Sequence, residues 1–336
     1  GTRSFKWTYW GGRTSDGFMG GYYSLATHHP EYVEAIRRNI GLLKKATYDG
    51  LLYGGMHYRV SGIPPCIHHT FGHAKALASF LEQAPVDMVT SKELPRDVPY
   101  GVKCYQDIRT WLIAQGSWRA TFTGYDAEYK TKGTHPIGGA LALLWHAEAG
   151  PVFAATMNKY QLIEAPNMQG STRKYLMGGT PRIELIEDGN VYTNLDDLNT
   201  DIVCHIDKNN YCFQVNTHLV DISQKSPSGG EVPVVVNYVY SEQGVRICVR
   251  HCPDRAYLVL PIIASPVETV EISSKAMRIN RNNGVLNVKC EAGTVEVGPT
   301  DDDGRIFNPV PGFSFVPLRI LPDSEDKKVL INIYFY

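Results

Sequence analysis

The sequence predicts an α+β chain: an α-helical N-terminal segment over residues 1–99, then a large antiparallel β-sandwich over residues 100–336. Two stretches before residue 85 repeat apolar residues at spacings of three and four, the mark of a helix with one buried stripe. From about Val102 onward the period falls to two, in short β-branched and aromatic runs divided by turn residues. Neither a Gly-x-Gly-x-x-Gly nor a phosphate-loop pattern follows any of these runs, which argues against a nucleotide-binding α/β fold.

Residues 1–30 read as loop, dense in aromatic and polar groups. Trp7 and Trp10 offer ring faces for sugars, and Arg13 offers a fork for a carboxylate; plain packing under a loop is the competing reading. Pro30 opens a helix that runs to about Lys45, with Val33, Ile36, Ile40, Leu42 and Leu43 inward, and Asp49-Gly50 ends it. A Gly-rich loop, Leu51 to Ile63, carries Tyr53, His57, Tyr58 and Arg59. The stretch Pro64 to Leu81 then predicts a second helix, capped by Thr70 and burying Phe71, Ala74, Leu77, Ala78 and Leu81. Ser91 to Pro99 reads as a polar linker. Beyond it, strands are expected at 107–113, 118–123, 139–146 and 150–156. Further runs follow near 202–206, 211–215, 232–239, 245–250, 257–263, 267–272, 285–288, 294–297 and 329–335.

With 33 basic and 34 acidic residues and a net charge of −1, the chain is no electrostatic binder of nucleic acid. No run of about 18 apolar residues suggests a membrane span. Seven cysteines without a Cys-x-x-Cys pair leave the redox compartment undecided. The opening Gly-Thr-Arg-Ser carries no apolar signal region and reads as a trimmed or internal piece, which leaves export open.

His68 and His69 fall at the mouth of the second helix, where unpaired N–H groups and positive potential suit an anion, and His73 sits one turn further in. A zinc protease site is disfavoured, because the glutamate of His-Glu-x-x-His is absent. His205 and Asp207 share one strand face and, with His218, form a weak metal trio for which solvent-facing polar positions are the simpler reading. The acidic turn Asp301 to Gly304 is a weak calcium candidate.

Two stretches resemble the heparinase II/III-like and alginate-lyase-like polysaccharide lyases, which join an α/α toroid to a β-sandwich. Ile67-His68-His69-Thr70-Phe71-Gly72-His73 running into Ala74-Lys75-Ala76-Leu77-Ala78 is similar to a toroid helix that begins with an Asn-His or His pair. Gly133-Thr134-His135-Pro136-Ile137-Gly138-Gly139, leading into Ala140 to Trp145, is similar to the first strands of the β domain, where the family places a functional histidine. The resemblance implies that the helical segment is a partial toroid, the chain being a C-terminal portion or reduced member. His135-Pro136-Ile137 stands where the family carries His-x-Asp, which removes a neighbouring metal ligand.

The implied activity is β-elimination on a uronic-acid-containing polysaccharide. The charge that builds on the carboxylate must be neutralised, a base must take the C5 proton, and an acid must protonate the leaving oxygen. His69, Tyr125 and His135 are the catalytic candidates, with Tyr58 and Tyr129 rivals of Tyr125 as base. His68, Arg59, Tyr58, Arg13, Trp10 and Trp7 are the substrate-binding candidates. No cofactor is implied beyond a structural zinc or calcium. The expected partner is an acidic polysaccharide in the periplasm or outside the cell, with a second copy or a further helical region outside this chain left open. A glycoside hydrolase, which needs two carboxylates across the sugar, and a non-catalytic carbohydrate-binding or assembly domain remain the alternatives.

Overall fold

The structure is a computed structural model that describes residues 29, 32–53, 55–65, 67–83, 93–94, 96–124, 136–156, 178–308 and 312–336, apart from the side chains of 67–69. Two α-helices are described, α1 (Tyr32–Ala46) and α2 (Ile67–Gln83), with a small hairpin β1 (Thr47–Tyr48) and β2 (Leu51–Leu52) between them. They pack on a narrow stripe: Ile36 of α1 meets Ala76 of α2, flanked by Val33, Ile40, Leu77 and Phe80. No ring of helical hairpins is present among the described residues, so the toroid-like N-terminal segment is corrected to one helix pair beside a predominantly β body.

The helix pair also uses a different face from the one expected. Phe71 and Leu81 are 70 % and 77 % exposed, whereas His73 is 4 % exposed and turned inward with Ala76. The sequence supports two overlapping stripes, and contact with α1 selects the one through Ala76, Leu77 and Phe80. Thr70 lies inside the first turn rather than capping it, and its Oγ1 accepts the Leu52 N–H at 2.8 Å, tying the hairpin to α2. His68 and His69 are therefore inside the helix start, not ahead of it.

The β body is built from three antiparallel sheets around one core rather than two layers. A five-stranded meander runs β3 (Gly101–Tyr105), β4 (Thr110–Gln115), β5 (Trp118–Thr123), β6 (Ala140–His146), β7 (Gly150–Ala154). An eight-stranded sheet has the order β10-β11-β12-β13-β21-β17-β16-β15. Its strands are β10 (Asp201–Asp207), β11 (Asn210–His218), β12 (Pro233–Tyr240), β13 (Gly244–Arg250), β15 (Thr269–Ser273), β16 (Ala276–Arg281), β17 (Gly284–Ala292) and β21 (Val329–Phe335). The third sheet joins β18 (Thr294–Val297), β20 (Phe313–Leu321), β14 (Ala256–Ile263), β8 (Arg182–Glu187) and β9 (Asn190–Thr193), with β19 (Ile306–Asn308) paired to β20.

Alternation explains how these strands seat. In β12, Val234, Val236, Tyr238 and Tyr240 are buried while the residues between them are not. Phe122 of the meander stacks on Phe213 of the large sheet at 5.0 Å and meets Tyr238 and Tyr240 edge-on, locking the two sheets together. Burial pushes the phenols of Tyr238 and Tyr240 well above their ordinary range, which removes both as proton carriers.

The expected linker is braced rather than loose. Arg38 of α1 grips Asp97 with two nitrogens at 2.7 and 2.6 Å, while Arg119 of β5 donates to the Asp97 carbonyl at 3.0 Å. Arg37 and Arg38 both bond Glu34 and hold its carboxyl at about 2.

Candidate active site

The loop between β2 and α2 carries the helical part onto the third sheet. Ser61 Oγ lies 2.8 Å from Ser314 Oγ, and the His57 N–H donates to the Gly312 carbonyl at 3.3 Å. Tyr58 is 1 % exposed, its ring edge-on to Phe307 at 5.1 Å beside Ile63. That packing consumes the ring and corrects its assignment as a substrate-binding residue and rival base. Arg59, one residue on, is exposed, with its guanidinium 3.4 Å over the Tyr48 ring. Tyr48 belongs to the hairpin that the Leu52 N–H ties to Thr70 in the first turn of α2. The side chains of His68 and His69 lie outside the described residues, as do Trp7, Trp10, Arg13, Tyr125, Tyr129 and His135.

The described flanks of the segment holding Tyr125 and His135 converge nonetheless. Gly124 donates its N–H to the Arg109 carbonyl at 2.8 Å, and Arg109 reaches the Thr200 carbonyl at 2.6 Å. A Cβ on Gly124 would come within 2.9 Å of Ile202. On the other flank, Ile137 donates to the Leu195 carbonyl at 2.9 Å. Gly138 has φ +65°, and a Cβ there would lie 1.7 Å from the Asn194 carbonyl oxygen, a position only glycine can hold. Both flanks therefore rest on residues 194–202. That stretch is held by Asp197, whose carboxylate accepts from Thr217 Oγ1, the His218 N–H and the Asn199 N–H, each at 2.8 Å.

His57, in the Gly-rich loop between β2 and α2, is a functional candidate that its sequence position alone does not mark. Its Nδ1 accepts the Ser314 N–H at 3.0 Å, which places the ring proton on Nε2, and its edge meets Phe313 at 5.3 Å. Burial pulls its pKa down to about 4, helped by the Arg281 and Arg305 guanidiniums. Glu268 sits among them, 3.7 Å from Arg281 Nε, and accepts the Ser265 N–H at 2.6 Å. The result is a neutral imidazole with a donor at Nε2 beside two buried cations, an environment that favours an anion. A Gly-rich loop with a histidine two residues from an arginine was the available signal.

This imidazole makes stability depend on pH. The unfolded chain, at 6.5, takes up the proton before the folded one, at about 4, so the contribution is fully present above 6.5 and lost as pH falls towards 4. The loss is on the order of 3 kcal/mol. His57→Asn, whose Oδ1 can still accept the Ser314 N–H, is expected to flatten the calorimetric midpoint across that window. A slope identical to the parent's would assign the effect to other groups.

The metal trio does not assemble. His205 faces Cys212 and Asp207 faces Asn210, whereas His218 lies at the far end of β11, about 20 Å along the strand, beside Asp197. Among the described residues no three His, Cys, Asp or Glu side chains are grouped to hold a metal, the Asp301 to Gly304 turn included.

A family model described as the ulvan lyase C-terminal domain matches residues 102–336, and one described as the ulvan lyase N-terminal domain matches residues 1–97. The chain belongs to the ulvan lyase family. It is 34 % identical over 344 aligned positions to a broad-specificity ulvan lyase of Formosa agariphila, covering 99 % of this chain and 53 % of that protein. The chain thus spans about half the length of that curated relative. These matches support the resemblance at the level of polysaccharide lyases and carry no toroid family with them. Among solved structures, a galactose mutarotase-like protein of Clostridium acetobutylicum aligns at 8 % identity and TM-score 0.37, covering 70 % of this chain and 97 % of that one. A galactose 1-epimerase of Lactobacillus acidophilus aligns at 8 % and 0.36, covering 71 % and 97 %. At those scores neither bears on activity.

Proposed function

We propose that this ulvan lyase family member cleaves a uronic-acid-containing polysaccharide, ulvan in the first instance, by β-elimination. The observation that carries the reading is the 34 % identity to a broad-specificity ulvan lyase along nearly the whole chain. In the reaction a base removes the C5 proton, the C–H electron pair becomes the new C4=C5 double bond, and the O4 leaving group departs with a proton from an acid. Tyr125 and His135 are assigned these proton transfers. The common footing of their flanks on residues 194–202 supports the pairing.

His69, His68 and Arg59 are assigned to the carboxylate, whose growing negative charge a cationic or N–H-rich edge stabilises more in the transition state than in the ground state. The position of the pair in the first turn of α2 and the exposed guanidinium of Arg59 support that assignment. Trp7, Trp10 and Arg13 are assigned to sugar rings and a second acidic group. This chemistry draws on side chains alone. No described helix is long and apolar enough to cross a membrane, and a polymeric substrate suits a periplasmic or secreted enzyme. A further region beyond these residues, or a second copy, is the natural source of any remaining subsite.

The test is incubation with ulvan, alginate, heparin and a glucuronan, following the ultraviolet absorbance of the unsaturated uronate. Absorbance that rises with chain cleavage is expected with ulvan. New reducing ends without absorbance would replace the lyase by a hydrolase, and binding without cleavage would leave a carbohydrate-binding domain. Arg59→Ala is expected to lower kcat about tenfold with a smaller effect on KM, the loss of one charge-assisted contact that strengthens in the transition state. A rise in KM at constant kcat would instead reduce Arg59 to ground-state binding.

A further inference from the structure

We infer that the outward face of the eight-stranded sheet is a second binding surface for an acidic polysaccharide, on the side of that sheet turned away from the core. For the identity of the polymer it rests on the proposed lyase reading; for the surface itself it rests on register and charge.

Antiparallel pairing fixes which side chains share this face. On the four adjacent strands β13, β21, β17 and β16, the inward positions Ile247, Ile331, Val288 and Ile279 are fully buried. The outward positions between them carry Arg246, Arg250, Lys289 and Arg278, four cations against one exposed carboxylate on these strands, Glu291 at the β17 bulge. In a chain of net charge −1, that is a strongly one-sided distribution. Glu271 on β15 faces Arg278 at one margin, and Asp201 and Asp207 lie on β10 at the other, so the central cations with no carboxylate in cross-strand register are Arg246 and Lys289. The described ion pairs of the chain involve neither of them.

The neutral groups fit a polyol. Asn332 stands between Arg246 and Lys289 in cross-strand register, and its Oδ1 accepts from Arg246 Nε at 2.9 Å, which leaves the amide N–H donors facing outward. Tyr334 pairs with Asn287 and stacks on Tyr336 at 6.1 Å, while Arg278 donates to the Tyr336 hydroxyl at 3.3 Å. Strands about 4.8 Å apart place Arg246 and Lys289 about 10 Å from each other, a spacing suited to two anionic groups on one extended chain. Cations, planar amides and tyrosine rings on a broad sheet bind carboxylates and hydroxyls together, whereas a peptide or lipid partner would ask for apolar area that these strands turn inward.

The test is retention of the 336-residue chain on immobilised ulvan and on immobilised heparin, with dextran as the neutral control, at rising salt. Salt-sensitive retention on the two acidic polymers and none on dextran is expected. The triple variant R246A/R278A/K289A should bind at least tenfold more weakly, and the uncharged change Tyr334→Ala about threefold more weakly. The triple variant's melting midpoint is checked against the parent's, and Lys289→Gln alone, expected to weaken binding about threefold, covers the case of misfolding. Unchanged retention in both charge variants overturns the inference. So does equal retention on poly-glutamate, which would reduce the face to an ion exchanger. Cleavage of a short ulvan oligosaccharide, run in parallel, should match the parent in every variant. If the parent itself fails to cleave it, the lyase reading falls while the retention series still decides the surface.

Discussion

Arg281→Met is expected to lower the melting midpoint by roughly 8 °C, because one guanidinium joins all three sheets. Arg281 ends β16 in the large sheet, yet it donates to the carbonyls of Ala149 and Pro151 beside the meander and to the Ile263 carbonyl of the third sheet. Its Nε lies 3.7 Å from Glu268. Methionine fills much the same volume but offers no donor, so the carbonyls lose their partner and Glu268 keeps only Arg305 as a counter-charge. Breaking a buried, multiply bonded charge of this kind costs about 3–5 kcal/mol. Each kcal/mol moves the midpoint of a large domain by about 2–4 °C. Arg281→Lys should recover less than half of the loss, since an ammonium cannot reach three carbonyls on two sheets at once. Calorimetry reads both. A midpoint within 2 °C of the parent in Arg281→Met would show that the sheets are held by apolar packing alone. The same variant should also let the His57 pKa rise, because Arg281 is one of the cations that depress it.

That junction lay beyond the reach of the sequence, as did everything that depends on which sheet a strand joins. Period-two alternation located β5, β6, β12, β13 and β21 to within a residue, because each has one face in the core and one outside. It missed β8, β16 and β20. In β8 the outer face is also covered: Arg182 and Glu184 are buried as an ion pair at 2.6 Å, so the polar beat reads as solvent exposure. In β20, Pro317 and a buried Ser314 interrupt an otherwise apolar run. Both helices were located, but the buried face of α2 was not, for a different reason. Leu81 and Phe71 are apolar enough to define a stripe, but a stripe is buried only where a partner presses on it, and α1 presses one position away. The toroid was inferred from likeness in a single helix, and one helix cannot specify a ring. Site chemistry was legible as composition, in a loop rich in His, Tyr and Arg. The division of labour within it was not, since Tyr58 packs on Phe307 and Arg59 faces out although they are adjacent.

Tyr125→Phe is expected to lower kcat on ulvan by about 10²–10⁴-fold while leaving KM and the melting midpoint nearly unchanged. The change removes one oxygen. If that oxygen takes the C5 proton, the loss appears in the chemical step and not in binding. A phenol acts as a base near neutral pH only when positive charge lowers its pKa, and under the proposed reading Arg59 and the histidine pair of α2 supply it. The activity of the parent should therefore rise with pH along a limb that Arg59→Lys leaves in place and Arg59→Ala moves upward. His135→Ala should cost a similar factor. The double variant should be little worse than either single one, because an acid and a base serving one elimination act as a unit. Multiplied losses in the double variant would mean that the two residues work in separate steps. Undiminished turnover in Tyr125→Phe would assign that ring to packing and pass the role to Tyr129, four residues on in the same segment. Tyr125 and Tyr129 share the segment whose two described flanks, Gly124 and Ile137, are anchored at residues 194–202, so the two variants test rival bases in one segment. Only the phenol whose oxygen meets the C5 proton in line should register in kcat.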